Sequence, residues 1–111
     1  MTLSLLSLLA ALTMAPQERM VRQVAGAMGV DPEFAACVVR HESEFDPLAV
    51  GDTGKARGMW QWHLPSWRHI RRAMGLSVAD RRADPVEATV TALWAMRNGY
   101  VGWRSASEHC E

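Results

Sequence analysis

Residues 51–58, Gly-Asp-Thr-Gly-Lys-Ala-Arg-Gly, constrain the fold of this chain more than any other stretch. Three glycines in eight residues cannot hold a steady helix, because each gives up more backbone freedom on ordering than alanine would. The segment must turn or form a short hairpin, and it does so between two runs of helical periodicity. The turn reverses the chain, so that the segment after Gly58 folds back over the end of the helix that precedes Gly51.

That preceding helix is well marked. Asp31 is an N-cap candidate, Pro32 suits the first helical position, and Glu33 favours the positive helix end. Phe34, Cys37, Val38 and Phe45 form a buried stripe at helical spacing, and Pro47 ends the run. Glu42 then sits near the C-terminal end of an apolar helix.

Other helices are marked by similar punctuation. Pro16 opens one over residues 16–28, with Met20, Val21, Val24, Ala25 and Met28 on one face and Gly29 as a left-handed end. Ser66 caps a third over 66–74, which Gly75 stops. Asp84, Pro85 and Glu87 give a cap, a first-turn proline and a capping-box glutamate. Val86, Val90, Leu93, Trp94 and Arg97 continue that helix to Asn98-Gly99. A short last helix spans 102–109. The fold class is mainly α, with at most one small β-hairpin, and 111 residues suit one compact domain.

Charge narrows the function. Twelve basic residues balance twelve acidic ones, which argues against a nucleic-acid partner held by phosphate neutralisation. A local patch of Arg68, His69, Arg71 and Arg72 leaves room for an anionic polymer. The pairs Arg71-Arg72 and Arg81-Arg82 read as solvated faces. His41 reads as a surface residue, and His63 and His69 are too scattered for a metal site. Cys37 and Cys110 leave three options open: a disulfide, two free thiols, or partial metal ligation with histidine. Count alone favours buried thiols in a cytosolic protein. The first fifteen residues are apolar and uncharged but short for a membrane span. They read either as the apolar part of a secretory signal, with Thr13 and Ala15 before a cleavage site, or as an N-terminal helix packed on the domain.

The segment His-Glu-Ser-Glu-Phe-Asp-Pro-Leu-Ala-Val-Gly-Asp-Thr-Gly-Lys-Ala-Arg-Gly-Met-Trp-Gln-Trp, residues 41–62, carries the chemistry. A carboxyl packed against apolar groups holds its proton to higher pH and can give it to a leaving oxygen. A glycine turn lets backbone approach a substrate closely. Trp60 and Trp62 offer flat faces with an N–H donor, which suits sugar rings. Trp94 and Trp103 read as core.

This segment resembles the soluble lytic transglycosylases, kin of goose-type lysozymes. The resemblance rests on Glu42-Ser43 at a helix end, Phe45, the turn Gly54-Lys55-Ala56-Arg57-Gly58, and Gln61. It implies a lysozyme-like domain over residues 16–111 that cleaves the β-1,4 bond between N-acetylmuramic acid and N-acetylglucosamine in peptidoglycan. Glu42 would be the general acid/base. Ser43, Gln61, Trp62 and Tyr100 would line the cleft, with Met59 and Trp60 shaping its floor. The alternatives are a hydrolytic lysozyme and an inactive glycan-binding or phage structural module. The late Ala-Tyr-Asn motif of the family is absent, and Asn98-Gly99-Tyr100 stands nearest to it.

A second resemblance concerns the cysteines. Chicken-type lysozymes bond a cysteine on the catalytic helix to one near a C-terminal Trp-Arg stretch, which here implies a Cys37–Cys110 disulfide. Those lysozymes also carry an aspartate where this chain has Ala56. The implied protein is an exported or phage-particle-associated monomer, without cofactor or metal, with glycan strands rather than nucleic acid or membrane as its partner.

Overall fold

The computed structural model describes residues 4–6, 14–100 and 102–110. The expectation for residues 1–15 falls largely outside these. Among the described residues the elements are helices α1 (Pro16–Ala27), α2 (Pro32–Ser43), α3 (Leu64–Met74), α4 (Pro85–Arg97) and α5 (Arg104–Cys110). The strands are β1 (Val50–Gly51), β2 (Ala56–Arg57) and β3 (Trp62–His63). The fold is mainly helical with a small antiparallel sheet. Helix α2 packs between α1 and α5, while α4 lies against α1 and α3. No described helix is long and apolar enough to cross a membrane.

Helix α2 begins as its sequence dictates, with the Asp31 carboxylate accepting from the Glu33 N–H at 2.9 Å. It ends earlier than Pro47 would make it. Glu44 and Phe45 both take left-handed backbone, at φ 53° and 62°, and the Glu44 N–H closes on the Arg40 carbonyl. Phe45 therefore leaves the helical stripe, and the chain breaks immediately after Glu42-Ser43.

Two other helix starts differ in detail. Helix α3 begins at Leu64, with Pro65 in its first turn, so Ser66 lies inside it rather than capping it. A first-turn proline lacks only an N–H that would be unpaired there anyway. In α4 the Asp84 carboxylate accepts from Val86 N–H and Glu87 N–H, both at 3.0 Å. The capping box stays open, because Asp84 N–H bonds Arg81 and the Glu87 carboxylate takes Arg71 instead. Val86 is exposed, and α4 buries Ala88, Thr89, Thr91, Ala92, Leu93 and Ala95. These mostly small side chains let neighbouring helices come close.

The sheet has order β1-β2-β3, with Gly51 opposite Ala56 and Arg57 opposite Trp62. The glycine turn makes the first hairpin. A second, unforeseen one closes through Gln61, whose N–H bonds the Gly58 carbonyl at 3.1 Å and whose φ is 53°.

The core gathers Val21, Val38, Val39, Met59, Trp60, Trp67 and Leu93. Two arginines join it, which corrects their reading as solvated. Arg71 is 3% exposed and Arg82 8%. Arg71 donates to the Ser77 carbonyl, Glu87 and Thr91, and its guanidinium lies 5.1 Å from the Trp67 ring centroid. Arg82 donates to Asp80 and to the carbonyls of Lys55 and Trp62. Burial is tolerated because each guanidinium is supplied with acceptors and a carboxylate. Cys37 and Cys110 are joined as a disulfide, with their Cα atoms 5.7 Å apart, so neither is a free thiol or a metal ligand.

Candidate active site

Glu42 stands on the last turn of α2, half-buried, at the edge of a cleft of about 540 Å³. Gln61–His63 and Pro65, Ser66, His69 and Ile70 of α3 also line it. Tyr100, Gly102 and Trp103 close one side. Three chain breaks assemble this hollow: the left-handed pair after α2, the second hairpin before α3, and the glycine-containing link between α4 and α5.

The expected site residues separate into two groups. Glu42, Gln61, Trp62 and Tyr100 line the cleft. Ser43, Met59 and Trp60 do not. The Ser43 hydroxyl donates to the Met59 carbonyl at 2.8 Å, tying the end of α2 to the segment ahead of β3. Met59 and Trp60 have no exposed surface. The Trp60 indole N–H donates to Thr89 at 2.9 Å, and its carbonyl accepts from the Trp103 indole at 2.6 Å. Trp60 therefore supports the floor from beneath and has no face for a sugar. Gln61 is also partly committed: its side-chain amide N–H donates to the carbonyls of Gly58 and Ala49 at 2.9 and 3.3 Å.

Sequence reasoning missed Trp103, His63, Ser66 and His69. Trp103, expected in the core, is half-buried and faces the cleft. Its ring meets Trp62 edge-on at 5.0 Å, and Trp62 meets Trp67 at 5.9 Å. Across the cleft Tyr100 meets His69 edge-on at 5.7 Å. The usable signal for Trp103 was its place just after Gly99 and Gly102, where the chain can turn an aromatic ring outward. Its own φ is 55°.

Electrostatics single out Glu42. Burial pushes its carboxyl above the ordinary carboxylate value, and the neighbouring His41 opposes that shift. His41 is exposed and stacks on His109, ring centroids 4.8 Å apart. His63 pairs with Asp52, Nε2 to Oδ2 at 3.0 Å. Among the described residues, no three side chains gather that could hold a metal ion. The arrangement places one carboxyl whose pKa burial raises in a groove that Trp62, Trp103 and Tyr100 also line.

No curated protein and no solved structure matches the chain. The family model of the transglycosylase SLT domain matches residues 19–109, which takes in Glu42, the sheet, the aromatic floor and nearly all of the last helix. By that match, the chain belongs to the transglycosylase SLT domain family.

Proposed function

We propose that this protein is a lytic transglycosylase that cuts the N-acetylmuramic acid–N-acetylglucosamine bond of peptidoglycan with Glu42 as its acid and base. The observation that carries the proposal is a half-buried carboxyl whose pKa burial raises, opening on a groove lined by Trp103, Tyr100 and the 5% exposed Trp62. Such a carboxyl keeps its proton to higher pH than an exposed one, and the accessible rings of Trp103 and Tyr100 suit the apolar faces of sugars.

The second step needs a group that stabilises positive charge on the sugar carbon. A two-carboxylate hydrolase would place a second acid roughly 5–9 Å from the first. Ala56 is a buried apolar residue. The Asp46 carboxylate accepts from Leu48 N–H in a local turn, and that of Asp52 faces His63. These commitments favour a single-carboxylate route. Glu42 protonates the leaving oxygen, and the substrate's own N-acetyl oxygen attacks the sugar carbon. Glu42, now ionised, takes the proton of the 6-hydroxyl. That oxygen closes on the carbon and expels the N-acetyl oxygen, giving a 1,6-anhydro sugar without consuming water. Mass spectrometry of products from purified peptidoglycan tests this. Anhydro ends, absent with Glu42→Gln, are expected. Reducing ends alone, with a large loss of rate in Asp52→Asn, would show a hydrolase instead.

The disulfide and the wall substrate together support an exported location, since a structural disulfide persists in an oxidising compartment. The monomeric state is likewise proposed, and sedimentation would check it.

A further inference from the structure

The disulfide sets two histidines against each other. Cys110 of α5 is bonded to Cys37 of α2. His109 directly precedes Cys110, and His41 stands one helical turn after Cys37. The two rings stack, with centroids 4.8 Å apart and planes 26° from parallel. His109 is fixed in turn by its own helix, since its Nδ1 donates to the Ser105 carbonyl at 2.8 Å. His41 is therefore an exposed ring whose place on the end of α2 is held from α5.

Its neighbour in the chain is Glu42. Consecutive helix positions point roughly 100° apart, so the ring stands to the side of the carboxyl and acts on it through charge. That charge lowers the Glu42 pKa against the rise that burial causes. The other cation beside it on α2, Arg40, is paired with Glu18 of α1 at 3.2 Å. Glu44 lies past the end of α2 on left-handed backbone, and α5 adds Arg104 and Glu108 to His109, all exposed.

We propose that His41, held in place by the His109 ring, is a positioning residue for the reaction: its charge sets the pH at which Glu42 gives up its proton. The proposal rests on the reading of Glu42 as the acid and adds a residue that acts through it. A cation beside a carboxyl favours the ionised form, so it brings loss of the proton to lower pH. Histidine is the side chain whose charge ordinarily changes near the range in which a raised carboxyl still titrates. The first step needs Glu42 protonated, so the upper limb of the kcat/KM profile follows the loss of that proton. Burial lifts this limb, and His41 draws it back down.

The test pairs the pH dependence of kcat/KM on soluble peptidoglycan fragments with carbon NMR titration of the Glu42 carboxyl. His41→Gln should move both the upper limb and the carboxyl titration upward by roughly 0.2–0.7 pH units, the scale of one exposed charge pair. His41→Lys restores a cation and should bring both back. The shift in His41→Gln should shrink in high salt, because the charge is exposed. His109→Phe keeps a ring against His41 without a proton site, and should leave both readings where they are. A carboxyl titration unmoved in His41→Gln, or one that moves without the limb, would overturn the proposal. So would a shift in His109→Phe as large as that in His41→Gln, which would assign the charge to the other ring. Turnover by well-folded Glu42→Gln would instead overturn the acid assignment above, and the proposal with it.

Discussion

Removing the Cys37–Cys110 bond should cost this domain much of its stability. The bond ties the middle of α2 to the end of α5, across a sequence separation of 73. In the chain-entropy model a loop of that length restricts the unfolded chain by about 4.4 kcal/mol at 25 °C. With an unfolding entropy of about 2.1 cal/mol/K per residue, this corresponds to a fall in melting temperature of roughly 20 °C for a chain of this size. The perturbation is the double variant Cys37→Ala, Cys110→Ala, studied by calorimetry and by denaturant unfolding. The denaturant slope carries independent information. An uncrosslinked unfolded chain exposes more surface, so the slope should rise when the bond is lost. A shift of only a few degrees would refute the loop-closure argument. A large shift with an unchanged slope would refute it differently, by placing the loss in the folded packing of α5 against α2.

Two further outcomes rest on burial. The raised carboxyl of Glu42 means that the folded protein holds this proton more tightly than the unfolded chain does, so its stability is full below the unfolded pKa and is lost as pH rises through the folded one. Glutamine does not titrate, so the melting temperature of Glu42→Gln minus that of the unaltered protein should widen across this acid window and then level; a difference independent of pH would count against it. Trp60→Ala should destabilise by about 3–5 kcal/mol in denaturant unfolding, as expected for emptying a fully buried aromatic site, whereas near-normal stability with weakened sugar binding would return Trp60 to the cleft surface.

Much of the helical scaffold was legible in the chain, because its signals are local. Asp31-Pro32 and Asp84-Pro85 start helices where such residues satisfy free N–H groups, and Gly29 and Gly75 end them with positive φ. The illegible parts depend on contacts far along the chain. Two-residue strands leave no alternation to read, so the second hairpin had no pattern of its own. Arg71 and Arg82 looked like surface charges because the acceptors that let them be buried, Glu87 and Thr91 in one case and the Lys55 and Trp62 carbonyls in the other, lie 16 to 27 residues away.

The candidate site shows the same division. Glu42 could be placed from its helix and its motif. Which tryptophan faces the cleft could not, because residue type does not decide it. The turn through Gly58 and Gln61 carries Trp60 inward to Thr89 and leaves Trp62 at the cleft. The link before α5 turns Trp103 outward against Trp62. An indole suits a core and a sugar equally well, so backbone direction makes the choice.

This places an unusual demand on the sheet. Strands of two residues are too short to hold a cleft wall by their own ladder, since small hairpins alone are marginal in water. Polar side chains supply the missing rigidity. Ser43 fastens the sheet segment to the helix that carries Glu42, through the Met59 carbonyl. Gln61 braces the second turn from within. Arg82 straps the Lys55 carbonyl to that of Trp62, joining the turn before β2 to β3. Gly58 lets the strap come close: its φ is +83°, and a Cβ there would run into the Arg82 carbonyl. The placing of the sheet against the helix that carries Glu42 is thus set by polar bonds that hydrophobic patterning does not reveal. Glycine at the end of the turn is required by the approach of residue 82, twenty-four positions further along the chain.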